Sequence, residues 1–171
     1  FYSNKCDKSF INSFKSKSIP YLRNLPRNDW EWLLTAQHYG IPTRLLDWSQ
    51  SALVSLFFAV EDEFFDYEEH DDNPVVWCLN PLLLNSKGPF MRGNGEVPSL
   101  MENDEYLHRS LEEYYLLGKE HEESIYPLSI VGPRSNTRID AQRGVFTLFP
   151  LKAVPLEDMD NVNEFLLKIN I

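Results

Sequence analysis

Between Gln37 and Trp48 the chain reads QHYGIPTRLLDW, which crowds Gln37, His38, Tyr39, Thr43, Arg44, Asp47 and Trp48 into one short stretch. Each carries a hydrogen-bonding group, and such groups matter most where a turn between rigid elements presents them. Arg44 beside Asp47 permits two readings, and the residues leave both open. In one, the pair is a buried charge-assisted clasp that fixes the junction, with His38 satisfying a backbone carbonyl. In the other, Arg44 is a fork for a phosphate or carboxylate, Asp47 orients it, and His38 or Tyr39 stacks on a ring. A second constellation comprises Arg138, Asp140, Gln142, Arg143 and Gly144. On a strand, alternation puts Arg138, Asp140 and Gln142 on one face and Ile139 and Ala141 on the other. Such a polar row is either solvent surface or the wall of a site.

Other chemistries find less support. His38, His70, His108 and His121 are scattered and form no metal-ligand spacing, so no metal site is expected. Neither a GxSxG elbow nor the phosphate-loop patterns GxxxxGK[ST] and GxGxxG occur. Cys6 and Cys78 are too few for a disulfide framework or a zinc cage. Cys78 is expected to pack as a small apolar residue. A metal-dependent hydrolase using Asp47 with Glu61 or Asp62 ranks last among the enzyme readings.

The formal net charge of -10 argues against general nucleic-acid binding, which rests on Lys and Arg displacing counterions from phosphates. The longest apolar run, Leu53 to Val60, falls far short of the roughly 20 residues that span a bilayer. No signal peptide or lipidation motif is visible, so the expected setting is the cytoplasm. A length of 171 residues with 43% apolar and 13% aromatic residues suits a single domain with a proper core.

The elements that must position these groups follow from periodicity and punctuation. Phe10, Ile11 and Phe14 mark a short amphipathic helix from Ser9 to Ser18, stopped at Ile19-Pro20. Asn28 can cap a second helix, Asp29 to Tyr39, with Glu31 placed as in a capping box and Gly40 suited to the C-terminal turn. Pro42 ends that helix, and Arg44 to Trp48 reads as a short connection. Ser49 or Ser51 can cap a third helix, Ala52 to Val60, which is apolar on nearly every side and is expected to be buried. After the acidic run from Glu61 to Asp72, Val75 to Leu79 reads as a strand closed by Asn80-Pro81. Pro89 to Pro98 reads as a loop, and Leu107 to Leu117 as a helix. Thr137 to Ala141, Val145 to Phe149 and Leu166 to Ile171 read as strands, with Gly144 freeing the turn between the first two. Early helices followed by separated strands indicate an α+β fold, with N-terminal helices packed on a mainly antiparallel sheet.

The run QHYGIPTRLLDW, the step into SALVSLFFAVED, the strand PVVWCLNP and the late RIDAQRGVFTLFP resemble, in that order, the FRG domain family of bacterial proteins. The resemblance implies a single FRG-like domain over residues 1–171. It departs in one respect: the Phe/Tyr-Arg-Gly tripeptide that gives the family its name does not occur upstream of Asn28, so the expectation is either that the chain is trimmed at its start or that this member lacks the N-terminal Arg-Gly strand. The family pattern is in turn similar to arginine-dependent ADP-ribosyltransferases. That similarity implies a fold related to theirs, NAD as cofactor, and a role in a toxin or phage-defence protein. It assigns Gln142 and His38 to catalysis, and Arg44, Tyr39, Thr43, Asp47 and Arg138 to holding the nucleotide. Gly144 stands where that class has its glutamate, which leaves the oxocarbenium-like centre without its stabilising charge. The competing expectation is a noncatalytic recognition module that binds protein or nucleic acid.

Overall fold

In the computed structural model, residues 4–22, 24–65, 73–88, 96–100, 126–132, 142–150 and 154–171 are described. They form an α+β arrangement of four α-helices and five strands in two antiparallel sheets. The expected helix at 107–117, the expected strand at 137–141 and Arg138 lie outside the described residues.

Helix α1 (Asn4–Ser18) starts earlier than its apolar spacing suggests and passes into a 3-10 turn at Ile19–Tyr21. Helix α2 (Asp29–His38) is delimited as its sequence signals require. The Asn28 side chain accepts a hydrogen bond from the Glu31 amide at 2.9 Å, while the Glu31 carboxylate accepts from the Arg27 amide, one residue before the cap itself. At the other end Gly40 adopts φ +74°, which lets Ile41 N–H reach Ala36 O and Gly40 N–H reach Gln37 O. This double bond pattern closes the helix where only a residue tolerant of left-handed geometry fits.

The stretch expected to be a connection is instead strand β1 (Leu45–Ser49), followed by α3 (Ala52–Phe65). Strand β2 (Val75–Leu79) ends at Asn80, whose side chain accepts from the Leu82 and Leu83 amides and so caps α4 (Pro81–Lys87). Asn-Pro here opens a helix as well as ending a strand, because proline at the first helical turn needs no amide partner. Strands β3 (Leu128–Ile130), β4 (Gly144–Leu148) and β5 (Leu166–Asn170) complete the described strands. Arg143, at φ +49°, takes the left-handed turn expected of Gly144, and Gly144 lies in β4 opposite Ser49.

One sheet has the order β1-β4-β3 and the other pairs β2 with β5. The first divides the core in two. On one side Leu45, Phe146, Leu148, Leu128 and Ile130 pack against Trp30, Leu33 and Leu34 of α2, with Ile11 of α1 beside them. Trp48 belongs to the other side, packed against the cluster of Leu84, Leu156, Met159, Phe165 and Leu166. There Asn85 of α4, buried, donates to Ser129 O at 3.0 Å and accepts from Ser129 N at 2.7 Å, which fastens α4 to β3.

Two packing expectations are overturned. Helix α3 is not buried: Leu53 is 79% exposed, and Leu56, Phe57 and Phe58 are exposed too. Its apolar residues surround the axis, so no single neighbouring layer can cover them. Cys78 is exposed as well, on a strand whose one described partner is β5.

Candidate functional site

The last turn of α2 is tied to β1 by side chains. Thr43 Oγ1 donates to Gln37 Oε1, and Gln37 Nε2 donates to Leu45 O at 3.2 Å and to Asp47 Oδ2 at 3.4 Å. Leu45 N–H in turn donates to Thr43 Oγ1 at 3.2 Å. Gln37 and Thr43 thus supply the partners that the backbone of Leu45 would otherwise lack, since every buried peptide group must be satisfied. Asp47 is held by Gln37. Arg44 and Asp47, three apart on extended chain, point to opposite faces of the strand. The Nε and Nη1 atoms of Arg44 are buried, and its carbonyl accepts from Phe149 N–H.

Beside this network lies a cleft of about 460 Å³. Leu34, Gln37 and His38 of α2 form one wall, and Leu46, Asp47, Trp48 and Ser49 of β1 form the floor. Ser55, Phe58 and Ala59 of α3 and Val75, Val76 and Trp77 of β2 close the far side, with Gln142, Gly144 and Phe146 at one end. A second cavity of about 520 Å³ adjoins it, sharing Trp48, Ser49, Ser55, Val76, Trp77 and Phe146. Asp47 is the one acidic residue among the described residues lining the first cleft, and none of them is Lys or Arg.

Of the residues singled out in the sequence, Gln37, His38, Asp47, Trp48 and Gln142 come together at this cleft. Ser49 links the two segments, its hydroxyl donating to Gln142 O at 2.7 Å. Tyr39, Thr43 and Arg44 are not among the lining residues. Tyr39 lies on the outer side of α2, with its ring 5.9 Å from that of Phe14 and 5.3 Å from that of His38. Arg44 stands opposite Phe149 in the extended β1–β4 ladder, seven positions from Gln142. Arg44 is thus not among the residues that line the cleft with Gln142.

The β2 wall, with Val75 and Trp77, went unforeseen. Its signal lay in the β-branched and aromatic run VVWCL, which marks a strand but not its neighbour. Trp48 owes its fixed position to a hydrogen bond from Nε1–H to Thr147 Oγ1 at 3.1 Å.

The described residues thus define an α+β domain with an open, mainly apolar cleft at the margin of a small antiparallel sheet. The model of the FRG domain family matches residues 1–68, a span that includes α1, α2, β1 and α3 and leaves the β2 and β4 sides of the cleft outside it. No curated protein and no solved structure matches the chain. Among the described residues, no helix is long and apolar enough to cross a membrane.

Proposed function

We propose that this FRG-matched chain acts as a noncatalytic recognition module, with the cleft between β1, α3 and β2 as its binding surface. The observation that carries this reading is the lining itself: indole and phenyl surface from Trp48, Trp77 and Phe58 with a few hydrogen-bonding groups, and no Lys or Arg among the described lining residues. Apolar walls with sparse polar groups give affinity and orientation, as ligand sites generally do. The test is nuclear magnetic resonance on the whole chain, following the Trp48 and Trp77 indoles against nucleotides and short peptides. A binding module shifts these indoles with one ligand class and leaves that ligand chemically unchanged. If no ligand moves them, the reading falls.

One observation favours a second reading, that of an NAD-binding, ADP-ribosyltransferase-like effector in a toxin or phage-defence protein. The Asp47 carboxylate shares the cleft with Gln142. In this reading Gln142 binds the ribose, His38 stacks on a ring, and Asp47 supplies the negative charge that Gly144 cannot give to an oxocarbenium-like centre. Arg138 would then hold the pyrophosphate in place of Arg44. Radiolabelled NAD incubated with the protein and a bacterial lysate should transfer label, and Asp47→Asn should abolish the transfer. Absence of both transfer and calorimetric NAD binding removes this reading.

A further inference from the structure

The hydrogen-bond register of β1 and β2 shows what kind of backbone the cleft is built to meet. In the β1–β4 ladder, Phe149 N–H donates to Arg44 O and Gln50 N–H donates to Arg143 O. Antiparallel pairs alternate between bonded and non-bonded positions, so Arg44, Leu46, Trp48 and Gln50 turn their peptide groups toward β4. Leu45, Asp47 and Ser49 turn theirs outward. In the β2–β5 ladder, Ile171 N–H donates to Pro74 O and Asn80 N–H donates to Phe165 O. By the same alternation Val75 and Trp77 direct their peptide groups away from β5.

These outward positions meet at one place. Asp47 and Ser49 on one margin, and Val75 and Trp77 on the other, all line the cleft. Both strands are terminal in their sheets, and no described strand pairs with either outer margin. At Leu45 the outward groups are already taken by Gln37 and Thr43, whereas those of Asp47 and Ser49 have no partner among the described residues. The side-chain network thus closes one end of the β1 margin, and the rest has no partner among the described residues. An open margin is a template for another extended chain, and proteins normally block one that has no use.

We propose that the cleft receives an extended peptide of a partner protein, which adds as a strand between β1 and β2 and presents a basic side chain to Asp47. This deepens the recognition reading and rests on it. Backbone hydrogen bonds from two margins supply affinity, and the pockets for alternate side chains supply selectivity. Charge chooses the occupant. Asp47 is the one acidic side chain among the described lining residues, none of them is Lys or Arg, and the chain as a whole carries -10. An acidic peptide would meet like charge, while a Lys or Arg beside Asp47 meets its complement. Apolar side chains at the neighbouring positions face Trp48 and Trp77.

The probe is the peptide acetyl-Val-Lys-Val-Arg-Val-Lys-Val-amide, titrated into the nitrogen-15-labelled chain alongside a copy N-methylated at alternate residues. Strand addition shifts the amides of Asp47, Ser49, Val75 and Trp77 and slows their hydrogen exchange. The N-methylated copy, which has lost backbone donors, should bind at least about tenfold more weakly. Asp47→Asn, an exposed and nearly isosteric change, should weaken the parent peptide roughly threefold to tenfold and leave the fold intact. Equal binding of the two peptides overturns strand addition. If nucleotides move the Trp48 and Trp77 indoles while the peptide moves none of the four amides, the inference fails and the recognition reading stands. If nothing moves either set, both fail together. Concentration-dependent dimerisation that protects those amides without peptide would give the margins to a second copy of the chain and overturn the proposal.

Discussion

Helices α2 and α3 flank the same short strand, yet the less apolar of the two makes the core. Helix α2 buries Trp30, Leu33, Leu34 and Ala36 against the sheet and keeps Asp29 and His38 in water. Helix α3, ALVSLFFAVEDEFF, has no fully buried side chain from Ala52 to Glu61. What separates them is the arrangement of apolar residues. A stripe has one direction to be buried in, and a single sheet satisfies it, whereas a helix apolar all round needs covering on every side. Composition therefore misleads about α3, and spacing informs about α2.

The contrast breaks first at Leu34, which is 2% exposed and packs among Trp30, Leu45 and Phe146 in the α2 cluster. Leu34→Ala should cost about 2 to 5 kcal/mol, because the lost side chain leaves a cavity that its neighbours fill only in part. Gly132 lies against the same residue: a methyl group there would sit 3.1 Å from Leu34 Cδ1 and 2.9 Å from Phe146 Cε2. Such close fit leaves little freedom for collapse. Urea denaturation of the variant measures the loss, and a change below about 1 kcal/mol would mean that α2 is no better packed than α3.

A smaller effect is expected on the opposite side of the sheet, at Asn85. Its side chain satisfies both the amide and the carbonyl of Ser129 from a buried position. Asn85→Ala strands those two peptide groups and should cost about 2 to 3 kcal/mol, read from the same denaturation curves. Hydrogen exchange should rise at Ser129 while the amides of α2 keep their protection, since the two clusters lie on different faces of β4.

The sequence makes α2 legible because Asn28 and Gly40 state its limits locally, within one turn of the residues they cap. Strand β2 is legible from its β-branched and aromatic run VVWCL, closed by Asn80-Pro81. Strand β1 is not, because LLDWS is short, follows Pro42, and takes its partner from Gly144–Leu148, nearly a hundred positions away. Nothing local marks such a pairing. Helix α4 was hidden by Asn80-Pro81, a pair that closes a strand and opens a helix equally well. For the cleft, side-chain type brought His38, Asp47 and Gln142 into view, and the same reasoning singled out Arg44, which is not among the lining residues. The outward peptide groups of Asp47, Ser49, Val75 and Trp77 have no sequence signature, since any residue carries them. They become visible only once the register is known.

The smallest effect tests the other half of the contrast. Leu53, in the first turn of α3, is 79% exposed. A leucine so exposed has little apolar area removed from water, so Leu53→Ser should change stability by no more than about 0.5 kcal/mol, the ordinary range for surface substitutions. Serine has somewhat lower helix propensity than leucine, which sets the direction toward slight destabilisation. Thermal unfolding at two protein concentrations checks this. A loss near that of Leu34→Ala would show that the α3 surface is covered in solution; dependence of the loss on concentration would identify the cover as another copy of the chain, and independence would place the cover within the chain itself. Near neutrality would instead leave α3 as an apolar surface adjoining the cleft, so that its Phe58 and Ser55 are held beside β1 by the backbone of the helix more than by burial.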